Sequence, residues 1–250
     1  MKLALLSDIH ANERALVACE AHARAQGATQ LAFLGDYVGY GAEPVAVVER
    51  IMALQAQGAL VLRGNHDDMA VQPPADTSTL GASTAQWTHE QLSPAHRAFL
   101  ASLPLSLRQG PAWLVHASAE APERWRYVQD AHAATLSLDA LRDQPDLRYV
   151  FGGHVHHQSL YYRGSTGGLM RFDPTPGVAV PVPLHRHWLA TVGSVGQPRD
   201  GDPRAMYALW DVPRALLTFH RVDYDHHAAA AAIRRAGLPD YFANRLEQGR

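Results

Sequence analysis

The chain is short of cysteine: Cys19 is alone among 250 residues, so no internal disulfide can form and a disulfide-built fold is excluded. Charge of one sign is also lacking. Twenty-two Lys and Arg face 24 Asp and Glu, a formal net charge of −2, and no basic stretch occurs. An electrostatic surface for nucleic acid or for an anionic membrane therefore has no basis. Long apolar runs are missing too. The opening Leu3 to Leu6 is too short for a signal-peptide core or a membrane span, and polar Ser7-Asp8 follows at once. Repeats and low-complexity segments are absent. The expected setting is a reducing cytoplasm, with Cys19 an inert thiol in a helix.

What is present is a well-cored globule, at 47% hydrophobic and 18% charged residues. Short apolar runs at 2–7, 31–34 and 59–62 read as buried strands. Helices are expected between them, over 11–26 and 44–57. Asn12 suits an N-cap, Pro44 a first turn, and Gly27 and Gly58 the two ends. This β-α-β-α-β alternation argues for an α/β fold with parallel pairing. Residues 69–109 change character, with Pro73-Pro74 and two helical stretches, Thr79 to Gln91 and Ala95 to Ser102. They read as a helical insertion able to overhang a site. Further expectations are strands at 113–115 and 148–151 and a helix at 134–142. Ser159 to Asp223, rich in Gly, Pro and alternating apolar residues, reads as an antiparallel sheet, followed by a helix at 225–236. With no linker in view, a single domain over 1–250 is expected.

Five polar clusters stand at the ends of these strands: Asp8-Ile9-His10, Gly35-Asp36, Gly64-Asn65-His66-Asp67, His116, and Gly152-Gly153-His154-Val155-His156. In α/β folds, ligands bind at the carboxyl ends of strands, which is where these clusters lie. Imidazole and carboxylate together suit divalent first-row metals such as Mn, Fe, Zn or Ni. If the backbone is extended, Asp8 and His10 point to one side and can reach one metal, and His154-Val155-His156 repeats that geometry with Val155 turned into the core. Asp36, with two oxygens, is the natural bridge. Paired divalent ions roughly 3.5–4 Å apart activate water and clamp both oxygens of an in-line displacement. Two such ions bring four positive charges. Asp8, Asp36 and a hydroxide remove three, so the centre stays positive and attracts a phosphate ester.

In order and in kind, these clusters resemble the signature of the calcineurin-like metallophosphoesterase superfamily: Asp-x-His, Gly-Asp, Gly-Asn-His-(Asp/Glu), a lone His, and Gly-His-x-His. The run from Val192 to Arg204 resembles a segment of its small prokaryotic members. The resemblance implies an α/β fold, a four-layer α-β-β-α sandwich of two mixed sheets flanked by helices. Carried over by position, Asp8, His10, Asp36 and His156 would hold one metal, and Asp36, Asn65, His116 and His154 the other. His66 would sit beside them as the catalytic residue, protonating the leaving oxygen or stabilising the transferring phosphoryl group. Two divalent ions are implied, Mn²⁺ foremost, with Fe, Zn and Ni compatible. The substrate would be a small-molecule phosphodiester or phosphomonoester, nucleotides included, cleaved by hydroxide held between the metals. The alternative is a metal-binding interaction scaffold of the same fold without catalysis.

One departure is informative. In the superfamily's protein Ser/Thr phosphatases the second motif continues to Asp-Arg, the Asp orienting the catalytic His and the Arg holding phosphate. Here Gly39 and Tyr40 stand at those places. Protein phosphatase activity is not expected, and His66 needs another support. Asp67 is adjacent but is expected to point away. Arg199, after a Gly-rich loop, and Tyr40 are candidate substrate-binding residues, and His185 and His187 are candidates to line the cleft. His22, His89, His96 and His132 are expected to face solvent.

Overall fold

The computed structural model describes residues 1–164 and 167–250. Two six-stranded mixed sheets form its centre. In the first sheet, β1 (Lys2–Leu6) is flanked by β2 (Gln30–Phe33) in parallel, and β3 (Leu60–Val61) extends that side. On its other side β1 meets β11 (Ala205–Asp211) antiparallel, with Lys2 opposite Asp211, followed by β12 (Leu216–Val222) and β9 (Ala179–Pro181). The second sheet runs β4 (Ser106–Gln109), β5 (Ala112–Val115), β6 (Tyr149–Gly152), β10 (Trp188–Val192), β7 (Gln158–Arg163), β8 (Leu169–Phe172).

Period-two alternation builds the layers. Leu3 and Leu5 of β1 point to the second sheet, where they meet Leu114, Phe151 and Ala190 in a core shared by both sheets. Ala4 and Leu6 point the other way, against Leu16 and Cys19 of α1 (Glu13–Ala25) and Val47, Val48 and Ile51 of α2 (Pro44–Ala56). On the far side of the second sheet, Val150 and Leu189 pack on Ala134 and Leu138 of α6 (Ala131–Asp139). Helix, sheet, sheet, helix is the expected four-layer order. Leu5 is fully buried between the sheets, and its truncation to Ala would cost roughly 2–5 kcal/mol. No helix among the described residues is long and apolar enough to cross a membrane.

Helix ends follow the sequence. Asn12 caps α1, its side-chain oxygen accepting from Ala15 N at 3.2 Å, and Pro44 opens α2. Val17 falls outside the buried face of α1 that holds Leu16 and Cys19, and is 40% exposed.

Two expectations need correction, and one helix was not expected. The stretch 69–109 is helical only in part. Helix α3 (Asn65–Val71) begins earlier, α4 (Leu80–Gln91) and α5 (Pro94–Ser102) follow, and Ser106–Gln109 alternates as edge strand β4 against β5. The stretch 159–223 is not one antiparallel sheet. Strands β7, β8 and β10 join the second sheet, β9, β11 and β12 the first, and β10 runs parallel to β6. Alternation reveals strands but not the sheet each one enters. Ser165 and Thr166 in that stretch lie outside the described residues. Finally, α7 (His226–Arg235) is followed by α8 (Asp240–Gln248), a short helix that buries Phe242, Ala243 and Leu246 against α7.

Candidate metal centre

The five clusters converge at one end of the two sheets. Asp8 and His10 follow β1, Asp36 follows β2, Asn65 and His66 open α3, His116 follows β5, and His154 and His156 follow β6. Two buried groups result, each able to hold a metal ion: Asp8, His10 and His156, and Asp36, His116 and His154.

In the first group, His10 Nδ1 donates to the carbonyl of Val38 at 3.0 Å and His156 Nδ1 to that of Gln197 at 2.6 Å. Each neutral ring is thereby left with a lone pair on Nε2. These two lone pairs face each other at 3.1 Å, with Asp8 Oδ1 at 3.2 Å from His156 Nε2 and 3.8 Å from His10 Nε2. Asp8 Oδ2 accepts from His154 N at 2.8 Å, while Oδ1 has no hydrogen-bond partner. Three acceptors pointed at one buried spot repel one another unless a cation joins them.

The second group repeats this logic. His116 Nδ1 donates to Leu34 O at 2.8 Å, so its Nε2 faces His154 Nδ1 at 3.1 Å, Asn65 Oδ1 at 3.2 Å and Asp36 Oδ2 at 3.3 Å. Asp36 Oδ2 is also 3.8 Å from His10 Nε2, so one carboxylate oxygen reaches both groups. Its Oδ1 is fixed by His66 N at 2.8 Å. The donor set, the lone-pair orientation and the spacing all fit a pair of divalent ions.

Electrostatics are arranged around the two carboxylates. Burial opposes ionisation of Asp8, but His156 and His116 overcome it and hold the carboxyl below the usual range. Burial likewise opposes Asp36, and His116 and His66 outweigh it. Desolvation lowers His10, His66 and His156, and takes His154 down to about 4. Burial would also lower His116, but the Asp36 charge and hydrogen bond raise it to about 9. Burial thus favours the neutral, metal-ligating form of His10, His154 and His156, whereas His116 would have to release its Nε2 proton on ligation.

The loops that carry these residues are not extended. Asp8, His10, Asp36, His154 and His156 all have positive φ, between 49° and 67°. The pairing of Asp8 with His10 therefore comes from left-handed turns, and His154 and His156 are split between the groups, His156 joining Asp8 and His10 and His154 joining Asp36 and His116. Val155 is half-buried beside the cleft, not in the core. Such conformations cost of order 1–3 kcal/mol each, and they cluster where function over-determines the backbone. Gly153 lets the chain pass close: a Cβ there would collide with Ser7 and with Asp8 Oδ2.

His66 is buried beside both groups, its ring 5.0 Å from that of His10. Asp67 does not reach its ring. Its carboxylate accepts from Asp36 N and Tyr37 N at 2.8 Å and from Gly64 N at 2.9 Å. Burial and the Asp36 charge push Asp67 up to about 7 against those three donors.

A cleft of about 690 Å³ adjoins the centre, lined by Tyr127, Val155, Tyr161, Arg171, Arg199 and Arg221 among others. Tyr127 stacks on His154 at 4.0 Å and is 49% exposed. Arg221 pairs with Asp200 and Arg171 with Asp173. Arg199 has no carboxylate partner among the described residues; its guanidinium is held by Gln197 Oε1 at 2.9 Å and lies 5.9 Å from the Tyr40 ring. His185 and His187 line hollows elsewhere, so their expected place in the cleft is wrong. His22 and His89 are half-buried and hydrogen-bonded, to Tyr207 and to Ala70 O, and do not simply face solvent. Sequence reasoning missed Tyr127, Gln197 and Phe242. They lie in two separate loops and a short helix whose motifs carry no metal-binding signature.

Comparison with known proteins agrees with this geometry. A curated relative, an uncharacterized protein of Methanocaldococcus jannaschii, is 31% identical over 99% of this chain and 98% of its own. The crystal structure of a metallophosphoesterase from Sphaerobacter thermophilus superposes with a TM-score of 0.87 at 34% identity, covering 100% of this chain and 99% of that one. A hypothetical protein from Pyrococcus horikoshii OT3 shares the fold, with a TM-score of 0.78 at 20% identity over 100% and 98% of the two chains. Residues 1–214, which hold both groups of ligand-type side chains, match the model of the calcineurin-like phosphoesterase superfamily domain, and the chain belongs to that superfamily.

Proposed function

We propose that the chain is a dinuclear-metal-dependent phosphoesterase acting on a phosphodiester or phosphomonoester of a small molecule. The observation that carries this reading is the pair of facing lone-pair sets joined by Asp36 Oδ2. Asp8, His10 and His156 would hold one ion and Asn65, His116 and His154 the other, with Asp36 serving both. Mn²⁺ is the ion we expect, and the single buried cysteine suits a cytoplasmic setting. Bound there, a pair of divalent ions supplies Lewis acidity toward a phosphoryl oxygen and lowers the pKa of water.

The chain's own residues supply the rest. His66, whose burial favours the neutral ring, would take up a proton beside the negative charge of a bound ester and pass it to the leaving oxygen, a role worth about 10²–10⁴-fold in rate. Arg199, which unlike Arg171 and Arg221 of the cleft has no carboxylate partner among the described residues, would take a non-bridging phosphoryl oxygen. The cleft beside Tyr127 is of a size that holds the ester's organic group, since small-molecule sites span roughly 300–1,000 Å³. Tyr127 offers its exposed face for stacking, which would favour an aromatic group such as a nucleobase.

The test is hydrolysis of an aryl phosphodiester and an aryl phosphomonoester by purified protein, with Mn²⁺ added and after chelation. Metal-dependent cleavage that drops by two orders of magnitude or more in His66→Asn supports the reading. Full turnover after chelation would overturn the metal dependence, and no turnover with any first-row ion on any ester would overturn the reading in favour of the scaffold.

A further inference from the structure

His66 is buried, yet among the described residues no side chain hydrogen-bonds either of its ring nitrogens, and Nδ1 has no partner at all. An imidazole without such a bond keeps one orientation only if packing blocks the other rotamers. Packing does so on three sides. The Tyr40 ring lies 4.4 Å away at 61°, and the His10 ring 5.0 Å away at 89°. On the third side lies Gly39, where an added Cβ would come within 2.6 Å of His66 Nδ1. Any larger residue at 39 would displace the ring.

Tyr40 is itself held firmly. Its backbone has φ 64°, a conformation a bulky residue keeps only under tertiary constraint. The constraint comes from the C-terminal helix: Phe242 of α8 stacks on the Tyr40 ring at 4.9 Å and 24°. On another side stands Arg199, bonded to Gln197 Oε1, and the Gln197 carbonyl in turn accepts from His156. A continuous set of contacts thus runs from α8 through Tyr40 to His66, and from Tyr40 through Arg199 and Gln197 to the metal centre.

We propose that Tyr40, braced by Phe242, is the positioning residue for His66, holding it by ring packing where no carboxylate is available to do so. The proposal rests on His66 being the proton donor of the proposed reaction. It makes the C-terminal helix, far along the sequence, part of the catalytic apparatus.

A double-mutant cycle tests it. Tyr40→Leu and Tyr40→Phe are made in wild-type and His66→Asn backgrounds and assayed with Mn²⁺ on an aryl and an alkyl phosphodiester. Tyr40→Leu lowers kcat about tenfold or more on the alkyl ester, less on the aryl ester whose leaving group needs no proton, with KM and metal content held. Tyr40→Phe, which keeps the ring, retains most of the turnover. In the His66→Asn background Tyr40→Leu costs less than about twofold, because coupled residues are non-additive. Equal losses in both backgrounds, an effect on KM alone, or a Phe variant as poor as Leu would overturn the proposal. Crystal structures of the metal-free proteins give a readout independent of turnover: one His66 orientation in wild type and several in Tyr40→Leu. A single orientation in both overturns the positioning role. Wild-type protein without turnover would instead count against the phosphoesterase reading, and the ring orientations would still decide this one.

Discussion

The carboxylate of Asp67 accepts the backbone N–H of Asp36 at 2.8 Å. Through this bond, and those from Tyr37 and Gly64, the first turn of α3 is tied to the loop after β2. The side chain that could bridge two ions is therefore set by a carboxylate that holds its backbone and touches no ligand atom of either group. In Asp67→Asn one oxygen becomes an NH₂ facing N–H donors. We expect a loss of roughly 2 kcal/mol in stability. Metal affinity should fall about 10–100-fold, as for other partners that orient ligands. Thermal unfolding and metal titration of the variant check both, and unchanged affinity would show that Asp36 needs no such support.

Gly153→Ala places a methyl group against Ser7 and Asp8 Oδ2. Overpacking of this kind costs about 1–3 kcal/mol, and here it pushes directly on a carboxylate of the first group. Metal content by elemental analysis should fall while circular dichroism stays native. Full metal content in a folded variant would contradict the close approach.

His220 is buried, stacked on Tyr207 at 4.8 Å, and its Nε2 has no partner. Burial, with the nearby His22, takes its pKa down from 6.5 to about 4. Between those values the unfolded ring is protonated and the folded one is not, so the unfolded state binds more protons and stability falls as pH drops from 6.5 toward 4. Below about 4 both states are protonated and this dependence ends. His220→Phe keeps the stack and removes the titration. Its unfolding midpoint should decline less than that of wild type over this window; parallel curves would exclude His220 as a source.

Metal retention has its own pH dependence. The imidazoles of His10, His154 and His156, lowered by burial, must be neutral to ligate, and acid protonates them in competition with metal. Because burial holds these rings below the ordinary histidine value, occupancy measured after equilibration should hold near pH 6 and fall as pH approaches about 4, where His154 takes up its proton. Occupancy unchanged at pH 4 would argue against a His-rich site.

Much of this was legible in the sequence, for reasons particular residues make plain. The Gly-rich motifs keep their ligands beside strands whose period-two pattern is strong, so Asp8, Asp36 and His154 could be placed at strand ends before any coordinates. How they meet could not be read. Extended backbone was the natural assumption for Asp8-Ile9-His10, yet these turns are left-handed, a strain that only the closed site reveals. Sheet membership was hidden for a similar reason: Trp188 to Val192 is buried on both faces and would suit the interior of either sheet, and its pairing with β6 depends on contacts distant in sequence. Phe242 was invisible because α8 is short and its role lies in a contact with Tyr40, about two hundred positions away.

The most direct measurement is metal stoichiometry in three proteins: wild type, His10→Ala and Asp36→Asn. Asp36 Oδ2 faces both groups, at 3.3 Å from His116 Nε2 and 3.8 Å from His10 Nε2. The account predicts two Mn²⁺ per wild-type chain, loss of one site in His10→Ala, and weakening of both in Asp36→Asn. Two ions bound by Asp36→Asn with wild-type affinity would contradict a shared carboxylate, and with it the dinuclear centre proposed for this chain.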